Sequence, residues 1–291
     1  RYSYGSLGNQ LVGYYDYIRK IAIGTGSYTF GSGSKPTIAT IGAPVASNLT
    51  WEKTLQHDLG VDLAFFGNRL MFTADAYIRD TKDMLTAGVA LPAVYGASSP
   101  KMNAADLRTK GYEFQLSWRD GFNLFGKPFN YSVTASFSDY ITEITKFDNP
   151  ERTFAKSYYV GMRMGEIWGY HTGGLFRSDA EAADYKIDQT FVNQAIISAA
   201  GDERGLHGGD VKFLDLNGDG VVNQGKNTVD DPGDRTIIGN NQPRYNYGIN
   251  LSVQYFGFDF GIFFQGVGKM DWAPAANNVL FYGPYARPYA T

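Results

Sequence analysis

The densest run of side-chain oxygens in the chain is Asp215-Leu216-Asn217-Gly218-Asp219-Gly220-Val221-Val222-Asn223. Oxygens at alternate positions, followed by a glycine that admits a sharp turn, suit a hard cation such as Ca²⁺, which takes about six to eight oxygen ligands. The spacing selects Asp215, Asn217, Asp219, the Val221 carbonyl and Asn223 as candidate metal ligands, with Asp230, Asp231 and Asp234 near enough in sequence to complete a shell. The run departs from an EF-hand, because Lys226 stands where the bidentate Glu belongs and no helices flank it. An Asx-rich turn without metal is the competing reading.

Other chemistry finds less support. His57, His171 and His207 are scattered and show no HExxH spacing, so neither a zinc centre nor a general base is indicated. Gly173-Gly174 and Gly208-Gly209 lack a following Lys-Ser/Thr and read as turns, not as phosphate cradles. No pair of carboxylates is singled out by spacing for acid/base work. The expectation is a protein that is not an enzyme and requires no cofactor, with calcium in the Asp-rich loop as the one candidate ion.

The elements that must position this loop announce themselves by a period of two. Apolar alternate positions recur at Leu59 to Phe65, Leu70 to Ile78, Tyr112 to Trp118, Phe129 to Phe137, Tyr245 to Tyr255 and Phe258 to Phe264. The interleaved positions hold Asp58, Asp62, Asp75, Arg79, Glu113, Arg119, Arg244 and Asp259 among small polar residues. Each strand therefore has one dry and one wet face. A soluble β-sandwich also alternates, but the best segments (69–79, 109–119 and 244–255) match the roughly 9 to 11 residues of a tilted membrane strand, above the usual 5 to 6 or so.

Connections alternate in length as well. Phe66-Gly67-Asn68, the stretch Asp120 to Pro128, and Gly257 are short, whereas 11–56, 80–108, 142–243 and 268–291 are long. Short turns on one side and long loops on the other are the habit of outer-membrane barrels, and aromatics near strand ends (Tyr112, Trp118, Phe129, Phe137, Tyr245, Tyr255) suit an interfacial girdle. The fold class expected is all-β: a transmembrane antiparallel β-barrel, with the dry face on outer-membrane lipid and the long loops extracellular. Within loop 142–243 a capped helix is expected from Ser178 to Tyr185 and a second from Val192 to Ala200.

Composition agrees. The 291 residues include 15% aromatics, 35 Gly and no Cys at a net charge of −3, which excludes disulfide frameworks, thiolate metal sites and a basic nucleic-acid platform. No apolar run is long enough for a spanning helix, and the only other spanning solution is a closed ladder. Six or seven strands do not close a wide barrel, so the chain is expected to be part of something longer.

Several ordered blocks carry a family resemblance: Asn48-Leu-Thr-Trp51-Glu52, Tyr77-Ile-Arg-Asp-Thr-Lys-Asp-Met-Leu85, Lys110-Gly-Tyr-Glu-Phe114, Gly165-Glu-Ile-Trp-Gly-Tyr170, Gly209-Asp-Val-Lys-Phe-Leu-Asp-Leu-Asn-Gly-Asp-Gly220 and Ile238-Gly-Asn-Asn-Gln-Pro243. They resemble the SusC/RagA family of TonB-dependent outer-membrane transporters of Bacteroidota. The resemblance implies that residues 1–291 are the C-terminal part of a 22-stranded barrel. The family's N-terminal plug and TonB-binding box are expected to have no counterpart within residues 1–291. It further implies active import of glycans or oligopeptides, energised by TonB, with a SusD-like surface lipoprotein on the extracellular mouth. Tyr95, Trp168, Tyr170 and Phe176, in the long loops, are the candidate residues for stacking on cargo or meeting that partner, against the plainer reading of loop packing. A surface adhesin or cargo-binding β-domain without transport is the alternative function, and a passive porin a third.

Overall fold

The computed structural model describes residues 1–9, 17–29, 31, 33–47, 49–88, 91–192 and 205–273. Its principal feature is a seven-stranded antiparallel sheet of β1 (Tyr2–Asn9), β4 (Glu52–Phe65), β5 (Leu70–Ala87), β6 (Lys101–Leu124), β7 (Lys127–Lys146), β12 (Arg244–Tyr255) and β13 (Phe258–Lys269), in that spatial order. Strands neighbouring in sequence thus neighbour in space, an up-and-down meander of the kind a membrane barrel uses. β2 (Ile21–Thr25) and β3 (Thr37–Ile41) form a hairpin inside the first long loop.

Alternation in the sequence becomes two chemically opposite faces through register. Leu63, Phe72, Leu116 and Ala135 pair across four strands, and the next row is Val61, Ala74, Phe114 and Phe137. Between those rows, on the other face, run Asp62, Thr73, Gln115 and Ser136. A slip of one residue would exchange the faces wholesale, so the apolar pattern and the register specify each other.

Neither face is packed. Leu59 is 60% exposed, Phe258 78% and Phe260 60%, and the dry positions between them are exposed or half-exposed. Among the described residues buried apolar side chains are few, and they lie beyond the apolar band or in the loops: Ala105, Ile144, Tyr159, Phe176, Ala182 and Val222. A β-sandwich of this size would bury one face of its sheet in a core. Here the dry face needs an apolar solvent instead.

Two-residue turns close two hairpins with the same dipeptide, Phe125-Gly126 and Phe256-Gly257, all four residues at positive φ, and a four-residue loop opening with Phe66-Gly67-Asn68, all three at positive φ, joins β4 to β5. Two consecutive positive φ values define the mirror-image turn whose twist matches flanking strands. The Phe125-Gly126 turn is shorter than the Asp120–Pro128 connection expected from the sequence. Pro128 lies inside β7, opposite Asn123, and Phe125-Gly126 alone reverses the chain. At the opposite end β5 and β6 extend through much of the expected 80–108 loop and leave only 88–100 between them.

The chain divides into two compact units: 1–150 with 158–162 and 250–262, and 151–157 with 163–249 and 263–291. The second holds a small polar fold of its own, in which β8 (Glu166–Tyr170) pairs with β11 (Arg235–Asn240) and β9 (Thr172–Leu175) with β10 (Val211–Phe213). Its helix α1 (Asp179–Asp184) starts where expected: Ser178 Oγ accepts from the Glu181 N–H at 3.2 Å and Glu181 Oε2 from the Arg177 N–H at 2.8 Å. Residues 190–192 are helical as well. Most of the second expected helix, 193–200, lies outside the described residues.

Candidate functional site

The wall formed by β4 to β7 is built from cross-strand pairs. On the dry face Phe72 stacks on Phe114 at 6.3 Å between centroids and Tyr112 on Phe137 at 6.2 Å. Towards the tight turns, Trp118 Nε1 donates to the Tyr131 hydroxyl at 3.1 Å and Phe66 meets the Trp118 ring edge-on. Aromatics that keep a polar tip satisfied belong at a membrane interface. The wet face is hydrogen-bonded within itself: Thr73 Oγ1 donates to Asp62 at 3.0 Å and the Ser117 and Thr134 hydroxyls lie 3.0 Å apart. Tyr77 covers Gly111, and a Cβ there would lie 2.5 Å from the end of the Tyr77 ring, so a side chain at 111 would displace that ring. No helix among the described residues is long and apolar enough to cross a membrane.

In the loop unit the structure brings Asp215, Asn217 and Asp219 into one curl by Asx turns. Asp215 accepts from the N–H groups of Gly218 at 2.7 Å and Gly220 at 2.8 Å, Asn217 from Asp219 at 2.9 Å and Asp219 from Val221 at 2.8 Å. Asn223 Oδ1 accepts from Gly225 N–H at 2.6 Å and its Nδ2 donates to the Val221 carbonyl at 3.4 Å. The Gly220 amide holds the Asp215 carboxyl below its ordinary pKa, with the Gly218 and Asp219 amides adding to it. Among the described residues no three His, Asp or Glu side chains converge so as to hold a metal ion. The donors suit calcium in kind, but their carboxylates are already organised by backbone amides.

What closes this curl is Asp234, fully buried, whose two oxygens accept from Leu216 N–H at 2.8 Å, Asn217 N–H at 3.4 Å and Asn223 N–H at 2.8 Å. Sequence proximity suggested Asp234 for a metal shell; its geometry makes it the knot of the loop. Gln189, not anticipated, does similar work: it is 2% exposed, donates to Val211 O at 2.8 Å and accepts from Phe213 N–H at 3.1 Å. Its signal was faint, one polar residue between Asp188 and Thr190.

The four loop aromatics do not share one environment. Phe176 is 2% exposed, edge-on to Tyr185 at 5.2 Å and capped by the Lys212 ammonium at 5.2 Å from its ring centre. Its expected role as a stacking surface is therefore corrected: Phe176 is the apolar core of the loop unit. Trp168 packs on Phe154 at 4.8 Å, whose ring also carries the Arg235 guanidinium at 4.6 Å. Tyr170 meets Phe213 edge-on, and partial burial raises its phenol pKa. Tyr95 is 48% exposed in the turn Ala93–Tyr95, within the other unit. Of the histidines, His57 bonds the Tyr2 hydroxyl, His171 the Thr236 hydroxyl, and His207 lies 3.5 Å from Asp179.

Comparison with known proteins agrees with this architecture. A family model described as TonB dependent receptor-like, beta-barrel matches residues 7–291. TonB-dependent receptor P3 of Formosa agariphila is 29% identical over 278 residues, 91% of this chain and 25% of that protein. TonB-dependent receptor SusC of Bacteroides thetaiotaomicron is 25% identical over 236 residues, 81% of this chain and 20% of that protein. The chain thus spans about a quarter of the length of these curated relatives. Among solved structures, one titled as the RagAB peptide transporter superposes with a TM-score of 0.60 at 20% identity, covering 91% of this chain and 26% of its own. A family match over nearly the whole sequence, on an unclosed antiparallel wall with one dry and one wet face, establishes that this chain belongs to the TonB-dependent receptor-like β-barrel family.

Proposed function

We propose that the chain forms part of the barrel wall and extracellular rim of an outer-membrane importer that takes up bulky nutrients, glycans or oligopeptides. The importer works with TonB and with a SusD-like surface lipoprotein. One observation carries the reading: the apolar face of the seven-stranded sheet is exposed along its length with no core against it, while the opposite face is lined by Asp62, Thr73, Asp75, Glu113, Gln115 and Ser136. A wall that is dry outside and wet inside is what a cargo channel through lipid requires.

The relatives support the functional class. One is named SusC, and a structural neighbour is titled a peptide transporter. The loop unit, with its own small core, is suited to a rim on which a partner closes, and of the four candidate aromatics Tyr95 is the exposed one, available for cargo or partner. The test is accumulation of labelled oligosaccharides and oligopeptides by cells expressing the full-length protein, with and without TonB. Uptake that vanishes without TonB is expected. Cargo that binds the cell surface but never enters would favour the adhesin instead.

A further inference from the structure

The dry face changes character abruptly towards the long-loop end. On the same outward positions as Leu59, Ile78 and Tyr112, the strands next present Lys110, opposite Ile78, then Arg108, opposite Asp80, and then Lys53 directly opposite Lys82. Counted from the Leu70–Trp118 pair, at about 3.4 Å per residue and a strand tilt near 40°, these rows stand about 20, 25 and 30 Å up the wall. An apolar band is about 25 Å tall. The basic residues therefore begin where hydrocarbon ends, and the flexible stem of Lys110 reaches upward to the same level.

The acids of this face are held first by groups other than the three lysines: Asp106 accepts from the Asp83 N–H at 2.9 Å, and Lys82 adds only a through-space influence on Asp80. Asp80 is held by Arg108 through two hydrogen bonds of 2.6 and 2.9 Å, and Glu143 lies on the other side of the same arginine. Asp139, one pair nearer the membrane, is buried. Lys53, Lys82 and Lys110 are exposed, and among the described residues none of them takes part in an ion pair. Like charges directly across a strand pair are destabilising, so the Lys53–Lys82 pair calls for an outside anion. Among the described residues of β4 to β7, the lysine at the tight-turn end is Lys127, which sits 5.7 Å over the Phe256 ring.

We infer that Lys53, Lys82 and Lys110, set by Arg108, form a collar that binds the phosphate groups of anionic lipid headgroups in the outer leaflet. The inference rests on the reading of the adjoining face as lipid-facing. A lipid is the occupant because the collar continues that face without a break and has the complementary charge. A headgroup anchored by its own acyl chains on Leu59, Ile78 and Tyr112 meets the lysines at the height where its phosphates lie.

The test titrates detergent-solubilised full-length protein with phosphorylated lipid A, with the dephosphorylated lipid and with inorganic phosphate, counting bound molecules by native mass spectrometry. At about a factor of five per lysine near an anionic surface, the K53Q/K82Q/K110Q variant should bind phosphorylated lipid on the order of a hundredfold more weakly. The matching Lys→Arg variant should retain binding, and heat-modifiable gel migration should show both variants folded. Equal binding by the Gln variant, or equal binding of the dephosphorylated lipid, would overturn the collar. Displacement of the lipid by millimolar inorganic phosphate would make it a free-anion site, and loss of a co-purifying lipoprotein with lipid retained would assign it to a protein partner. If the wild type stayed monodisperse without detergent, the lipid-facing reading itself would fall, a distinct outcome.

Discussion

Replacing Leu116 by Arg tests the membrane reading at one atom's depth. Leu116 is 46% exposed, and its row of Leu63, Phe72 and Ala135 lies between the Trp118 row and the Tyr112 row that bound the dry band on β6. It therefore lies inside the apolar band, where Arg costs about 2 to 4 kcal/mol at the midplane and less towards the interfaces. A value of about 3 kcal/mol corresponds to a folding equilibrium shifted roughly 150-fold. Gln115, the next residue, faces the wet side in the row of Asp62, Thr73 and Ser136, so Gln115→Arg should cost well under about 1 kcal/mol. The assay is denaturant-dependent folding of full-length protein into lipid vesicles, followed by tryptophan fluorescence. Equal costs for the two substitutions, or a larger cost for Gln115→Arg, would refute the assignment of faces.

Four further outcomes follow from the loops and turns. Asp234→Ala should loosen the Asp215–Asn223 curl by about 2 to 4 kcal/mol, because the Leu216, Asn217 and Asn223 amides lose their buried acceptor; faster amide exchange there is the readout. The amides of Gly218 and Gly220 should stay protected under EGTA, since the Asp215 carboxylate already accepts from both, and protection lost on chelation would assign calcium to the loop. Acid should open the same loop: Asp215 is held below its ordinary value near 4 by the Gly220 amide, so its stabilisation is complete above that pH and fades as pH falls through the lowered pKa, with glycine exchange as the measure. Phe125→Asn should stabilise its hairpin by roughly 1 kcal/mol, since Asn tolerates φ of 50° better than Phe does, unless the 90% exposed ring is a membrane anchor, in which case vesicle folding weakens.

The strands were legible because lipid on one side and water on the other impose a strict period of two, visible from Leu59 to Phe65 and from Tyr112 to Trp118. Their ends were not. Above the bilayer both faces meet water, so Lys101 to Arg108 carries no apolar mark although its ladder bonds to β5 continue. The turn at Phe125-Gly126 was blurred by Pro128, a residue that signals loops yet is tolerated at the second position of a strand. In the loop unit the oxygen-rich curl and the Ser178 cap were readable because both are local. The burial of Phe176 was not, because Tyr185 and Lys212 cover it from distant segments.

The continuation of β5, β6 and β7 to 18, 24 and 20 residues has a consequence for how anything docks above the membrane. About ten residues suffice to cross, so a large fraction of each strand stands in water as a hydrogen-bonded palisade. A surface of that kind loses its conformational entropy at folding, before any encounter. A body closing on it need not order the palisade again, so repeated opening and closing can proceed on weak contacts, with association free energy spent on the moving partner alone.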